Sequence, residues 1–221
     1  MKNSTNATKK LEAKNFRQGE RLALPVLTFE GAIFMNRILF LKKFIDEPKK
    51  IGSLTPSSKF LARKMLNDLP WENFSHVAEL GAGTGIFTEQ IIERKTSSCK
   101  LLVIEQDFSL RHLLEEKYNN APPRSNLIFD SFAENLCATL QEINFPPLDC
   151  VISGLPFANM EEGLRRQIIE NIHRSLKRDG IFVMFQYSLQ MKRLLKEYFH
   201  SVDINFFLLN FPPAFVYLCK K

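Results

Sequence analysis

Cysteine and histidine are scarce in this chain of 221 residues. The four cysteines are widely separated without a CxxC pair, and the four histidines show no HxxxH or HExxH spacing. Such scattered residues predict neither a disulfide framework nor a zinc site. We therefore expect reduced thiols and chemistry that needs no metal ion.

Long apolar runs, internal repeats and low-complexity stretches are also missing. A transmembrane helix needs about 18 consecutive apolar residues, and no such run occurs. The first residues are polar and do not resemble a secretory signal. We expect a cytoplasmic protein that is soluble or peripheral to a membrane.

Excess positive charge is confined to the N-terminal part of the chain. Residues 1–50 contain 11 Lys and Arg against 5 Asp and Glu, whereas residues 51–221 contain 19 of each. Anionic lipid headgroups and nucleic acid both attract a basic segment, although a solvated tail has the same composition. We predict an N-terminal extension over residues 1–50 and one domain over residues 51–221.

A helix is predicted within this extension, over residues 31–46. Its apolar side chains form one broad arc, with Lys42 and Lys43 largely opposite. The helix is suited to lie in the headgroup layer of an anionic membrane, but its apolar stripe is equally suited to cover the core or a cofactor cleft. The residue pattern leaves both interpretations open. The first 30 residues show no convincing period and are predicted to be partly disordered or weakly helical.

Short aliphatic runs alternate with helical patterns from His76 onwards. This alternation predicts an α/β fold with a mostly parallel, seven-stranded sheet and helices on both faces. The predicted strands are His76–Leu80, Leu101–Glu105, Asn126–Asp130, Asp149–Ser153, Ile181–Tyr187, Val202–Asn210 and Ala214–Cys219. The predicted helices are Lys59–Leu69, Thr84–Arg94, Ser109–Tyr118, Ala133–Glu142, Glu161–Leu176 and Leu189–Phe199. The last two strands should form an antiparallel hairpin at the sheet edge.

The most informative segment is a glycine turn between a predicted strand and a predicted helix. It reads V-A-E-L-G-A-G-T-G from Val77 to Gly85. Alternate glycines permit a tight turn and let a ligand approach the backbone closely. Glu105 ends the next strand, where an acidic residue accepts hydrogen bonds from two ribose hydroxyls.

Dinucleotide-binding enzymes share these two features, but two details favour a different ligand. The third glycine comes one residue earlier than in GxGxxG, and Glu79 before the turn would repel a pyrophosphate. A carboxylate there suits a ligand with a positive ammonium and sulfonium group. The segment resembles the first motif of the Rossmann-like methyltransferases that use S-adenosylmethionine.

That resemblance implies which residues bind the cofactor. Glu79 and the glycine turn would hold the methionine end of the cofactor, and Glu105 would hold the ribose. Asp130, Ser131 and Phe132 would contact the adenine. The full set is Ser57, Glu79, Gly81, Gly83, Thr84, Gly85, Glu105, Gln106, Asp130, Ser131, Phe132 and Ser153. Asp130 also suits a cap for the helix that begins near Ala133.

The segment Ser153-Gly154-Leu155-Pro156-Phe157 follows the fourth strand, at the sheet edge where ligands bind. Methyltransferases acting on base amines typically have Asn or Asp where Gly154 stands, which weakens but leaves open the alternative of rRNA adenine N6-methylation. Together with Thr55–Ser58 and Asn210–Ala214, the segment resembles the bacterial phospholipid N-methyltransferases. Related rRNA adenine dimethylases share the framework.

The resemblance to phospholipid N-methyltransferases runs from about residue 30 to the C-terminus. It implies methylation of phosphatidylethanolamine, or of its methylated derivatives, toward phosphatidylcholine. It also implies a protein held peripherally at the cytoplasmic membrane, with the N-terminal helix on the anionic surface.

Two aromatic residues are predicted to lie beside the reacting nitrogen. Positive charge moves from sulfur to nitrogen during direct methyl transfer, and an aromatic face favours a developing cation. Phe157 and Tyr187 stand where the fourth and fifth strands end, so they are the predicted catalytic residues. Core packing is the alternative role for each ring.

Overall fold

A computed structural model describes residues 56–119, 126–208, 210 and 213–221. The helix predicted over residues 31–46 and the rest of the basic extension lie outside the described residues. The described strands are β1 (His76–Leu80), β2 (Lys100–Ile104), β3 (Leu127–Asp130), β4 (Leu148–Ser153), β5 (Leu176–Gln186), β6 (Ser201–Phe207) and β7 (Ala214–Lys220). The described helices are α1 (Pro56–Leu66), α2 (Ile86–Arg94), α3 (Phe108–Asn119), α4 (Leu136–Glu142), α5 (Glu162–Ser175) and α6 (Met191–Tyr198).

All seven strands join one sheet in the order β3-β2-β1-β4-β5-β7-β6. Strands β1 to β5 pair in parallel, while β7 runs antiparallel to both β5 and β6. This confirms the predicted fold class, a mostly parallel sheet with a C-terminal antiparallel hairpin. The strand order reverses between β1 and β4, and open α/β sheets bind ligands at such a switch point.

Helices cover both faces of the sheet because side chains alternate along each strand. On β1, Val77 packs into a cluster with residues of α1, α2 and α3, whereas Ala78 and Leu80 pack into a second cluster with residues of α4, α5 and α6. Both clusters are made of buried aliphatic and aromatic side chains. The carboxyl ends of β1 to β5 therefore meet at one edge, between two helical layers.

Most element bounds differ from the sequence prediction by a few residues, and three of the differences have a local reason. Helix α2 begins at Ile86 because Gly85 before it has a left-handed φ of 84°. Helix α1 ends at Leu66, whose carbonyl accepts the indole hydrogen of Trp71 at 2.8 Å. Strand β5 begins at Leu176, which pairs with Leu148 across a register shift.

The segment predicted as one helix over Ala133–Glu142 has two parts. A 3-10 turn over Ala133–Asn135 precedes α4. Within the described part of the chain, no helix is long and apolar enough to cross a bilayer.

Candidate active site

The glycine turn after β1 has the backbone that its sequence predicts. Gly81, Gly83 and Gly85 have φ angles of 76°, 56° and 84°, in the left-handed region that glycine adopts without strain. The amides of Gly81 and Ala82 both donate to the carbonyl of Ile104, at 2.8 and 3.2 Å, which ties the turn to the end of β2. A Cβ at Gly83 would meet nothing within 4 Å, so the turn is open to a ligand.

Glu105 is fixed beside this turn by backbone donors. Its Oε2 accepts from the Gly83 amide at 2.7 Å, and its Oε1 accepts from the Asp107 amide at 2.9 Å. Arg111 on α3 donates to the Glu105 carbonyl at 2.8 Å and holds the backbone as well. Each carboxylate oxygen has a second lone pair, so the pair can still accept hydrogen bonds from hydroxyl groups of a ligand.

Glu79 lies near the end of β1 with its carboxyl group buried. Its side chain is 1% exposed, and neither carboxylate oxygen has a hydrogen-bond partner among the described residues. Burial raises the pKa of Glu79 to about 8, and the charge of Glu105 adds to the rise. Thr88 on α2 lies near enough to oppose this rise, although its hydroxyl makes no hydrogen bond of good geometry.

Asp130, at the end of β3, is adjacent to Glu105, since the Glu105 amide donates to the Asp130 carbonyl at 3.0 Å. The Asp130 carboxylate accepts from the Ser131 amide at 2.6 Å and from the Thr139 hydroxyl on α4 at 2.5 Å. It therefore braces the start of the next helical segment. Phe132 is exposed at the same edge, and its contact with adenine stays a prediction.

The loop after β4 packs directly on the glycine turn. The Gly154 amide donates to the Leu80 carbonyl at 2.9 Å, and a Cβ on Gly154 would lie 2.9 Å from the Gly81 carbonyl oxygen. Glycine is thus needed here for close backbone packing. Ser153 is buried, and its hydroxyl accepts from the Leu155 amide at 3.2 Å, which shapes the same loop.

Gln186, which the sequence reasoning missed, holds this loop from the end of β5. Its Nε2 donates to the Leu155 carbonyl at 3.0 Å, and its Oε1 accepts from the Ala158 amide at 3.3 Å. The only available signal was a polar residue ending an apolar strand. Arg111 was missed for a similar reason, because its side chain acts on backbone that is distant in sequence.

The two predicted catalytic aromatics occupy different surroundings. Phe157 is fully buried in the cluster beneath α4, α5 and α6, so its ring contributes to the core. Tyr187 is half-buried, and its ring packs edge-on against Phe185 at 5.7 Å. Phe185 in turn stacks on Phe87 at 5.9 Å, two residues beyond the glycine turn.

The Tyr187 hydroxyl reaches Asn210, which precedes β7 in the chain. Burial raises the pKa of Tyr187 to about 12, while its hydrogen bond with Asn210 acts in the opposite direction. Asn210 is itself buried. The end of β5 therefore meets Asn210, the first residue of the N-F-P-P-A segment.

The remaining predicted cofactor residues are less informative. Thr84 and Gln106 are exposed at the same edge of the sheet. Ser57 lies in the first turn of α1, and its side chain is not among those that the structure describes. For all the predicted contacts with a ligand, the binding role stays a prediction.

The grouped residues fit the cofactor that the sequence predicts. Glu79 offers a buried carboxyl group without a partner, suited to a cationic or hydrogen-donating group. Glu105 offers spare lone pairs, and Gly83 leaves the backbone uncovered. A pyrophosphate would meet two carboxyl groups here, whereas an amino acid sulfonium with a ribose would meet acceptors.

Known proteins that are similar in sequence are also methyltransferases. Residues 52–206 match the family described as methyltransferase small domain. Over 184 residues, the chain is 34% identical to the ornithine lipid N-methyltransferase of Singulisphaera acidiphila, a match that covers 82% of this chain and 94% of that protein.

Solved methyltransferase structures share the fold at much lower identity. The N-methyltransferase NodS from Bradyrhizobium japonicum WM9, in complex with S-adenosyl-L-homocysteine, superposes with a TM-score of 0.61 at 15% identity, over 84% of this chain and 98% of that one. A SAM-dependent methyltransferase from Aquifex aeolicus superposes with a TM-score of 0.59 at 13% identity, over 80% and 97% of the two chains. These likenesses confirm the Rossmann-like methyltransferase fold.

Proposed function

The chain belongs to the methyltransferase small domain family of S-adenosylmethionine-dependent enzymes, and we propose that it methylates the headgroup amine of a membrane lipid. The observation that carries the proposal is the 34% identity, over 82% of the chain, to an ornithine lipid N-methyltransferase. Ornithine lipid and phosphatidylethanolamine both present a primary amine, and the sequence resemblance to phospholipid N-methyltransferases favours phosphatidylethanolamine and its methylated derivatives.

Methyl transfer to an amine asks for little acid or base catalysis. Bound S-adenosylmethionine would supply an electrophilic methyl group that an uncharged amine accepts by in-line displacement. The chain's own residues orient the reactants: Glu79 would hold the ammonium group, Glu105 the ribose hydroxyls, and the glycine turn the backbone contact. Gln186 keeps the loop after β4 in place.

We propose that Tyr187 is the aromatic residue that faces the acceptor nitrogen. Its ring lies at the carboxyl end of β5, half-buried, and connects through Phe185 and Phe87 to the glycine turn. The phenol is uncharged at neutral pH, and burial raises its pKa further, to about 12. An uncharged aromatic face favours the cation that develops on nitrogen. Phe157 is proposed to support this edge from within the core.

The substrate class is tested by label transfer. Purified full-length protein, labelled S-adenosylmethionine and vesicles containing either ornithine lipid or phosphatidylethanolamine are incubated, and label is measured in the extracted lipid. We expect label in an amine lipid and none in phosphatidylglycerol, which has no amine. A protein that binds S-adenosyl-L-homocysteine but labels neither amine lipid would refute the proposed substrate.

Ribosomal RNA is included in the same reaction as a competing acceptor. The alternative of adenine N6-methylation lacks support, because Gly154 provides no side-chain acceptor and the relative at 34% identity is a lipid methyltransferase. We expect the RNA to remain unlabelled. Label in RNA instead of lipid would replace the proposed substrate.

A further inference from the structure

Exposed apolar side chains are concentrated at the carboxyl edge of the sheet. Phe108 follows β2 and is 71% exposed, Leu189 follows β5 and is 47% exposed, and Leu208 follows β6 and is 68% exposed. Strand β6 runs parallel to β5, since both are antiparallel to β7, so Leu208 lies at the same edge as Leu189.

Helix α1 adds a fourth such side chain, Phe60, which is 55% exposed. Helix α1 packs beside α2, and Arg94 at the end of α2 donates to Asn67, just after α1, at 2.8 Å. The two helices therefore run in the same direction. Because α2 begins at the glycine turn, the first half of α1 points toward the carboxyl edge.

The opposite edge of the sheet is different. The described segments at this edge lead from the end of a helix to the start of a strand. Among their residues, Ile143 alone is a large apolar residue with an exposed side chain, at 36%. That edge instead has charged groups, including Asp149, Lys177 and Lys100. Scattered exposed apolar residues are normal on any protein, but their concentration at one edge is not.

We propose that Phe60, Phe108, Leu189 and Leu208, here called the apolar rim, dock the catalytic edge onto a lipid bilayer. The proposal rests on the proposed function, because a headgroup amine anchored in a bilayer reaches the cofactor turn only when that edge faces the membrane. Separate apolar side chains along one edge of a domain are suited to insertion between headgroups. A protein partner seated on the same rim would block the entry of the lipid.

Charge in the rest of the chain favours the same occupant. The described residues begin at Pro56, in the first turn of α1 at this edge, so the preceding segment joins the domain there. Residues 1–55 contain 11 Lys and Arg against 5 Asp and Glu, which is the entire positive excess of the chain. A basic segment joined to the domain at Pro56 complements an anionic bilayer surface.

The test is sedimentation of full-length protein with vesicles of phosphatidylethanolamine and phosphatidylglycerol. The rim variant combines Phe60→Ser, Phe108→Ser, Leu189→Ser and Leu208→Ser. The control is the single substitution Ile143→Ser, which is compared with the single substitution Leu208→Ser. We expect the rim variant to lose at least about tenfold in partition coefficient, since each side chain would otherwise bury apolar surface. Ile143→Ser should remain within about twofold of the native protein.

Near-UV circular dichroism and the melting temperature establish that each variant is folded. A folded rim variant that binds vesicles as tightly as the native protein would overturn the proposal. The proposal would also be overturned if size-exclusion chromatography showed the native protein as a dimer and the rim variant as a monomer, because a second copy of the chain would then cover the rim.

Activity separates this proposal from the proposed function. On a short-chain, water-soluble amine lipid, the rim variant should keep the native rate, while on vesicles its rate should fall with its binding. Loss of vesicle binding in the rim variant, with no label in any amine lipid for the native protein, would reject the substrate and support the docking surface.

Discussion

At the scale of single residues, Glu79 has opposite effects on stability and on binding. Below pH 4.5 the group is protonated in both the folded and the unfolded chain, and its burial costs little. As pH rises toward about 8, the unfolded chain releases the proton while the folded chain retains it. The free energy of unfolding therefore falls over this range, since the unfolded state binds fewer protons.

Glu79→Gln should remove this pH dependence while keeping the side chain's shape. Without cofactor, we expect the variant to match the native protein near pH 4.5 and to exceed its stability near pH 8, by on the order of a few kcal/mol. Thermal unfolding across this range measures the difference. A variant that is less stable than the native protein near pH 8 would contradict the assignment.

The same substitution should weaken cofactor binding. Calorimetry with S-adenosyl-L-homocysteine near neutral pH should show a loss of roughly tenfold to hundredfold in affinity, because the amide cannot ionise to meet the ammonium group of the ligand as the carboxyl group can. Affinity of the native protein should also rise with pH up to about 8, because below that pH the carboxyl group of the free protein must lose its proton to bind a cation. The variant should lack that rise, and unchanged affinity would mean that the ligand lies elsewhere.

Gly154 illustrates how one residue type is imposed by a neighbouring backbone. A Cβ there would lie 2.9 Å from the Gly81 carbonyl oxygen, whereas a Cβ at Gly163 in α5 would meet nothing within 4 Å. Gly154→Ala should lower the free energy of unfolding by about 1–3 kcal/mol through overpacking, and weaken cofactor binding by moving the turn. Gly163→Ala should raise the free energy of unfolding by up to about 1 kcal/mol, because alanine favours the helix.

Denaturant unfolding of both glycine variants makes the comparison. Equal effects of the two substitutions on stability would show that the loop after β4 is free to retreat from the glycine turn. Cofactor affinity serves as the second measurement, because only the Gly154 variant should change it.

At the scale of helices and strands, periodicity predicted most of the fold. The bounds of β1 were predicted without error, and β4 differs by one residue, because each strand is a mainly apolar run that ends just before a glycine. The early start of β5 was missed because Lys177, Arg178 and Asp179 interrupt its apolar pattern. Those residues are exposed in the structure, and the pairing of β5 with β4 shifts register across them.

The cofactor turn was also predictable, but its supports were not. The glycines and Glu105 lie within one strand-turn-helix-strand pattern, which a sequence displays directly. Gln186 and Arg111 act through hydrogen bonds to backbone carbonyls of other segments. Such contacts depend on how the elements pack, so composition and spacing gave no signal for them.

At the amino edge of the sheet, one carboxylate on β4 links the starts of β1, β4 and β5. Asp149 accepts from the amides of Ser75 and His76, at 2.7 and 2.9 Å, and from Lys177 on β5 at 2.5 Å. Burial alone would raise the pKa of Asp149, but the hydrogen bonds from Lys177 and the two amides outweigh it and hold the pKa below its usual range.

Asp149→Asn should therefore lower the free energy of unfolding at neutral pH, by about 1–3 kcal/mol. A lowered pKa stabilises the fold above the unfolded value of 3.8, and that contribution is lost as pH falls further. The difference between variant and native protein should shrink in acid, as denaturant unfolding would show. Glu162→Gln, in an exposed pair with Arg166, is the control and should change stability by less than about 1 kcal/mol.

At the scale of the whole molecule, charge and apolar surface are divided between two parts of the chain. Residues 51–221 have equal numbers of basic and acidic residues, so the domain itself exerts little net attraction on an anionic surface. Residues 1–50 contain the entire positive excess. If the basic segment attracts the membrane and the apolar rim contacts it, the location of positive charge should matter more than its amount.

Two sets of four lysine-to-glutamine substitutions test this, since each lowers the net charge equally. One set is Lys42, Lys43, Lys49 and Lys50, and the other is Lys100, Lys117, Lys196 and Lys220, which lie toward the amino edge. In about 0.1 M salt, the first set should reduce binding to phosphatidylglycerol-containing vesicles at least tenfold, and the second by less than about threefold. Near about 1 M salt, both should bind like the native protein, because screening removes the electrostatic part and leaves the apolar contact. Equal losses from the two sets would mean that net charge alone drives association, and that the basic extension has no special position at the membrane.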